Sequence, residues 1–211
     1  MNAEPLTAAQ VDVFARCMAV GGVAVFPSDT VYGLACDPSQ REAVIRLYAL
    51  KRRALEAPSA VMFFSLELAL EALPELGPKT RAALERLLPG PLTVLLSNPA
   101  GRYPLACGSE PVTLGLRVPE LSPQLAALGE FKWPLLQSSA NHAAEPPPTS
   151  IDELAPTIRT EVDLVLDAGA LGGLSSSVLD LRQYELEGRW ELLREGPVGS
   201  DQIAAMLSQN S

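Results

Sequence analysis

Histidine is almost absent: the 211 residues carry one, His142. Zinc sites built on two or three histidines therefore cannot form. Any Ser-His or Cys-His nucleophile would have to use His142, whose loop setting reads more simply as an ordinary polar residue. Cysteine is scarce too. Cys17, Cys36 and Cys107 form no CxxC and are odd in number. With no basic stretch ahead of an apolar run in Met1 to Gln10, no secretory leader is read, and the three read as reduced thiols in a cytoplasm. Long apolar runs are missing as well. The longest is Cys17 to Phe26, ten residues broken by Gly21-Gly22, against the roughly 20 that a membrane-spanning helix needs. Neither G-x-x-x-x-G-K-[ST] nor G-x-G-x-x-G occurs, so a nucleotide would not be held through a P-loop or a Rossmann turn.

Excess positive charge is also lacking. The formal net charge is −9, which argues against a broad phosphate-tracking surface and predicts weak or no direct binding of nucleic acid. A local cationic pocket remains open to it. What is present is apolar mass: 47% of residues are hydrophobic and 19% charged. A chain of this length can bury a core without disulfides or metals, and 1–211 reads as one domain.

The pattern alternates between helix and strand. Thr7 to Gln10 reads as a capping box opening a helix that ends at Gly21-Gly22. Ser39 to Glu42 reads as a second capping box, opening a helix that ends near Lys51-Arg52-Arg53. Leu66 to Leu73, Lys79 to Leu88, Ser122 to Leu128 and Ile151 to Ile158 are further helices, and Ser200 caps a last one to Leu207. Strands are expected over Val23 to Phe26, Ala60 to Phe64, Leu92 to Leu96, Val112 to Val118, Leu135 to Ser138, Val162 to Asp167, Ser177 to Leu181 and Trp190 to Arg194. Pro89-Gly90-Pro91 is a rigid turn. Interspersed helices and strands make the class α/β or mixed α+β.

Three places carry possible chemistry. Five of the 16 basic residues lie between Arg41 and Arg53. They suit either a solvated helix end or an anion site, with lysine as a point charge and arginine as a planar fork. Ser138-Ser139-Ala140-Asn141 offers hydroxyls and an amide at a strand end, though such residues are also common turn formers. Arg117 and Arg194 sit at strand ends, where a cation beside apolar residues needs solvent or a partner.

Seven short segments in order extend this reading. Phe26-Pro27-Ser28-Asp29-Thr30-Val31-Tyr32-Gly33-Leu34 resembles the PTDTVYGL opening of the YrdC-like family. Lys51-Arg52-Arg53 resembles its K-x-R, Leu88 to Thr93 its PGPLT, Gly115 to Pro119 its x-x-R-x-P, and Ser139-Ala140-Asn141 its S-x-N. Ser176 to Asp180 is similar to STVVD, and Leu193 to Gly196 to LRxG. The departures are Ser28 for threonine, Ala54 for proline, Ala57 for asparagine, Met62 for histidine, Ser175 for glutamate and Glu195 for proline.

The resemblance implies a YrdC/RibB-like fold: a twisted mixed sheet with flanking helices around a cationic cavity. It implies ATP-dependent synthesis of L-threonylcarbamoyl-AMP from L-threonine, bicarbonate and ATP. Pyrophosphate would be released, and a separate transferase would then modify adenosine 37 of tRNA. Lys51, Arg53, Ser139 and Asn141 would be catalytic. Thr113 and Arg194 would join them in binding ATP, Thr30, Arg117 and Ser176 would hold L-threonine, and Mg2+ would arrive with ATP. The alternatives are a YciO-like paralogue, or an RNA-binding or regulatory module of the same fold without synthase activity.

Overall fold

The computed structural model describes residues 4–208; the ends of the expected 1–211 domain, 1–3 and 209–211, lie outside the described residues. In chain order the helices are α1 (Ala8–Ala19), α2 (Arg41–Leu50), α3 (Leu66–Ala72), α4 (Pro78–Leu87), α5 (Pro104–Cys107), α6 (Pro156–Glu161), α7 (Tyr184–Glu187) and α8 (Ser200–Ser208). The strands are β1 (Ala24–Pro27), β2 (Tyr32–Cys36), β3 (Ala60–Met62), β4 (Leu92–Ser97), β5 (Thr113–Arg117), β6 (Leu135–Ser139), β7 (Leu164–Val165), β8 (Ser177–Asp180) and β9 (Glu191–Arg194). They form one mixed sheet in the order β7-β1-β2-β6-β3-β5-β4-β8-β9. Its parallel pairs are β1/β7, β3/β5 and β4/β8. The class is the mixed α/β one expected from the sequence.

Strand alternation sends neighbouring side chains to opposite faces, and here it divides the core in two. Val25, Leu34, Val61, Val94, Leu116, Leu136 and Leu179 enter one large cluster, closed by Val44 and Leu47 of α2, Leu84 of α4 and Ile203 of α8. Ala24, Phe26, Ala35, Met62 and Leu135 face the other way, against Val11, Phe14 and Met18 of α1 and the ring of Phe131. The second layer covers only part of its face. Beyond it, the residues next to those of the large cluster are Gly33, Ala60, Thr93, Arg117, Gln137 and Val178, and these line an open cavity.

Helix α1 begins as its sequence dictates. The Gln10 amide donates to Thr7 Oγ1 at 3.3 Å and the Thr7 amide donates to Gln10 Oε1 at 2.9 Å, closing a reciprocal cap. The second expected capping box does not form. Ser39 Oγ donates instead to Asp37 Oδ1 at 2.7 Å, and α2 is capped at Gln40 without a side-chain bond. A local Asx-type turn has taken the serine that a cap would have used. Several boundaries also move. The Ile151 to Ile158 helix breaks into a 3-10 turn, Ile151–Glu153, and α6, because Pro156 disfavours helical backbone at Ala155. The Ser122 to Leu128 helix is a 3-10 turn over Ala126–Glu130. The Val162 to Asp167 strand shortens to β7, and Ser200 is the first residue of α8, inside the helix. The three cysteines are free, with Cys36 and Cys107 buried. Among the described residues no helix is long and apolar enough to cross a membrane.

Candidate active site

The cavity on the open face measures about 270 Å3. Thr30, Arg53, Arg117, Ser139, Ser176 and Arg194 all line it, so six of the nine residues expected from the sequence meet there. They come from six separated places: the β1–β2 turn, the residues just after α2, the ends of β5, β6 and β9, and the residue before β8. Among the lining side chains none is acidic and three are arginines.

Arg117 ends β5 and is 4% exposed. Its Nη2 donates to Asp29 Oδ1 at 2.6 Å and to Thr30 Oγ1 at 3.3 Å, while its Nε–H has no partner. Burial lowers the pKa of the guanidinium and raises that of Asp29, and the contact between them opposes both shifts. The hydroxyls are ordered by elimination. Ser28 Oγ gives its one proton to Val31 O at 2.8 Å. Thr30 must then be the donor in its 3.0 Å contact with Ser28, which leaves the Thr30 oxygen lone pairs for Arg117. Asp29 and Ser28 thus hold the pieces, and the turn before β2 presents them.

On the far wall Arg194 Nη2 and Nε donate to Ser176 O at 2.7 and 3.1 Å. Ser176 Oγ lies 2.8 Å from Thr93 Oγ1. This contact needs close backbone approach. A Cβ at Gly196 would stand 2.2 Å from Ser175 O, so only glycine lets the strand end of Arg194 lie against the serine run. Ser177 locks the same junction. Its hydroxyl donates to Val198 O at 2.7 Å and accepts from the Gly196 amide at 3.0 Å.

The K-x-R segment divides its labour. Arg53 reaches the cavity, where Nη1 donates to Ser138 Oγ at 3.2 Å and Nη2 to Pro58 O at 2.7 Å. Lys51 is buried, 2% exposed. Its Nζ donates to the Ser139 carbonyl and to Asn141 O at 2.9 Å, binding the end of α2 to the turn after β6. Burial, and then the nearby Arg53 charge, lower its pKa from 10.5 to about 8. The solvated helix end that composition alone suggested is therefore not what Lys51 forms. Asn141 stands beside it. Its Nδ2 donates to His142 O and Glu145 O at 2.8 and 2.7 Å, and its buried Oδ1 has no partner.

Thr113 is placed elsewhere. It begins β5, whereas Arg117 ends it, and its hydroxyl accepts from Arg182 Nη1 at 3.3 Å. It lines a different hollow, of about 460 Å3, at the opposite strand ends. There Arg182 is bound to Asp180 at 2.6 Å and to Glu110 at 3.6 Å, so its charge is satisfied within the chain. His142 is a structural residue of the loop, as expected, though buried. Its ring nitrogens contact Glu145 and Thr157 at 3.3 and 3.1 Å. Sequence reading gave no role to Thr93, Gln137 or the Asp29 carboxylate. The period-two pattern of Leu92 to Leu96 and Leu135 to Ser139, in which polar residues interrupt apolar ones, was the available signal.

Among the described residues no group of three or more His, Cys, Asp or Glu could hold a metal ion. The lining itself supplies arginine cations and hydroxyls.

A family profile named Sua5_yciO_yrdC and described as telomere recombination matches residues 16–196. A protein of Xanthomonas campestris pv. campestris named threonylcarbamoyl-AMP synthase is 35% identical over 169 residues, which is 78% of this chain and 88% of that protein. The structure of P. abyssi Sua5 complexed with L-threonine superposes with a TM-score of 0.84 at 27% identity, over 97% of this chain and 59% of that one. This chain therefore spans about three fifths of the length of that structural relative. E. coli YciO shares the fold, with a TM-score of 0.77 at 21% identity over 95% of this chain and 96% of that one. With most of its length matched by the profile, the chain belongs to the Sua5/YciO/YrdC family.

Proposed function

We propose that this chain is a nucleotidyltransferase that makes L-threonylcarbamoyl-AMP from L-threonine, bicarbonate and ATP, releasing pyrophosphate. The observation that carries the reading is the convergence of Arg53, Arg117 and Arg194 with several hydroxyls on one acid-free cavity. A curated relative 35% identical bears the name threonylcarbamoyl-AMP synthase. The chemistry asks for no protein nucleophile. The threonine amine attacks the carbon of bicarbonate and water leaves, giving a carbamate. A carbamate oxygen then attacks the α-phosphorus of ATP in line, and pyrophosphate departs. Such steps are accelerated by positioning and by charge stabilisation.

In this reading Arg117 takes the threonine carboxylate with its unpaired Nε–H and the rest of its fork, while Thr30 and Ser176 flank it. Arg53, Ser139 and Arg194 face the phosphates, with Lys51 and Asn141 behind Ser139. Thr113 would contribute to ATP binding only from the far end of β5. Mg2+ enters on the triphosphate as part of the substrate. The product passes to a separate transferase acting on adenosine 37 of tRNA, in a cytoplasmic setting, and residues 1–211 act as one domain. Met62 and Glu195 depart toward the paralogue, but K-x-R and S-x-N, both present, favour the synthase over the paralogue and RNA-module alternatives.

Arg53 gives the test. It already spends two donors on Ser138 and Pro58, which orients its remaining N–H groups toward the cavity. Lysine keeps the charge but cannot hold both partners and still grip phosphate. Arg53→Lys is expected to lower kcat/KM for ATP roughly ten- to hundredfold, the equivalent of about 1.5–3 kcal/mol. The melting temperature should hardly move, because a partly exposed charge contributes little to folding. Steady-state kinetics and a melting curve on the same variant check this, and wild-type kinetics would remove Arg53 from the site.

A further inference from the structure

A second cavity, of about 400 Å3, has a lining of the opposite character. Asp37 follows β2 and Trp133 precedes β6, whereas Gly33 and Ser139, near the other ends of these strands, line the candidate active site. Met18 and Ala19 of α1 form one wall, and Tyr103, Phe131 and Trp133 supply aromatic ones. Among the lining side chains there is no lysine or arginine, and Asp37 brings the one charge.

The aromatic walls are fixed by the fold. Phe131 is packed by Phe14 and Phe64, at 5.2 and 5.9 Å between ring centroids. Trp133 stands against it at 5.5 Å with the planes 75° apart, so the two rings make adjoining walls at nearly a right angle. The indole is still 62% exposed, and the core leaves much of it uncovered. Tyr103 sits at φ 49°, a left-handed conformation that is costly for a bulky side chain. The local turn uses only its carbonyl, which accepts from the Ala106 amide at 2.8 Å and the Cys107 thiol at 3.4 Å. Glycine would offer the same carbonyl without strain. What the tyrosine adds is its ring, braced on Phe63 at 6.2 Å.

The carboxylate of Asp37 is held by neutral partners. The Ser39 amide and hydroxyl donate to Oδ1 at 2.8 and 2.7 Å, and Gln40 Nε2 donates to Oδ2 at 3.4 Å. These bonds fix the group in place and leave its negative charge unmatched. Aromatic faces attract cations through the ring quadrupole, and the carboxylate attracts them through its charge. A bare metal ion is strongly hydrated and has no use for three rings, whereas alkyl groups on a nitrogen spread the charge over a surface that such walls can cover.

We propose that this cavity binds a small organic cation, an alkylammonium with apolar substituents, among Tyr103, Phe131 and Trp133 with Asp37 as its counter-ion. The volume suits a small molecule, since ligand cavities span roughly 300–1,000 Å3. The site does not depend on the synthase reading, because no residue lines both cavities.

Titration calorimetry on the full chain tests this with choline and with 3,3-dimethylbutan-1-ol, which has the same shape but carbon in place of the charged nitrogen. Choline is expected to bind roughly tenfold more tightly than the alcohol. Trp133→Leu keeps an apolar side chain and removes the indole face. Asp37→Asn keeps an acceptor for Ser39 and removes the charge. Each should cut the choline-to-alcohol ratio about threefold or more, with the melting temperature unchanged. The other tryptophan, Trp190, lines a different hollow, and Trp190→Leu should keep the wild-type ratio. Saturating ATP and L-threonine should leave choline affinity as it was. Absence of choline binding, equal affinity for the two ligands, a ratio that Trp133→Leu and Asp37→Asn both keep, or displacement of choline by ATP or L-threonine would each overturn the proposal. If one variant fails to fold, the other carries the same comparison.

Discussion

Arg117→Met is expected to cost about 3–5 kcal/mol of folding stability, the usual penalty for stripping one partner from a buried ion pair. Asp29 would be left with its side chain 6% exposed and no cation at 2.6 Å. Natural domains are stable by only about 5–15 kcal/mol, so the variant should fold but melt markedly earlier. The double variant Asp29→Asn, Arg117→Met separates structure from function. It removes both charges, so much of the lost stability should return. Activity should not return, because no fork is left for a carboxylate. The loss in kcat/KM for L-threonine should reach about a hundredfold or more in both variants, since charge-assisted hydrogen bonds are worth about 1.5–3 kcal/mol each. Urea unfolding and steady-state kinetics on the three proteins check this. A single variant as stable as wild type would contradict the buried pair, and an active double variant would contradict the carboxylate role.

The second large effect is expected at Lys51, where pH tells the structural part from the chemical part. Burial lowers its pKa from 10.5 to about 8. Between those limits the unfolded chain holds the proton and the folded chain releases it. The unfolded state therefore binds more protons, and raising the pH favours the folded state. The contribution approaches about 3 kcal/mol at its upper limit. Buried Tyr32 and Cys36, each pushed up to about 12 by burial, act in the opposite sense at alkaline pH. The Lys51 share is therefore read as the difference between wild type and Lys51→Met, measured by urea unfolding from pH 7 to pH 10. That difference should move in favour of wild type as the pH rises. Catalysis should respond the other way. Lys51→Met should lose about 10²–10³-fold in kcat/KM for ATP, the scale seen when one preorganised donor is removed. In the wild type the KM for ATP should climb above about pH 8, where the ammonium is lost. A pH-independent stability difference would mean that Lys51 is an ordinary exposed lysine, and unchanged ATP kinetics would take it out of the site.

How much of this was legible in the sequence depended on whether a residue announced itself locally. Helix α1 did, since Thr7 and Gln10 form their cap from four adjacent residues. Strand β2 did not. Tyr32 to Cys36 is buried at every position, so it shows no alternation, and Gly33 within it reads as a turn. Helices α5 and α7 are four residues each, too short for a period to show. The division of the sheet into a packed face and an open face was present in the order Leu92-Thr93-Val94 and Leu136-Gln137. Reading it needs the register, which is set by strands far apart in the chain. Lys51 shows the same limit. Charge and position made it an end-of-helix cation, and only the tertiary approach of Ser139 and Asn141 buries it. Thr113 shows a related limit, since it lines a different hollow from the other expected residues. It lies on the same strand as Arg117, but four residues of extended chain separate the two ends by roughly 13 Å.

The most direct measurement combines ATP, L-threonine and isotope-labelled bicarbonate with the purified protein, following pyrophosphate release and the mass of the nucleotide product together. The account predicts pyrophosphate only when all three substrates are present. It also predicts an AMP adduct that carries both threonine and the labelled carbon, formed in equal amount to the pyrophosphate. Pyrophosphate released at the same rate without threonine, or an adduct of threonine and AMP lacking the labelled carbon, would contradict it.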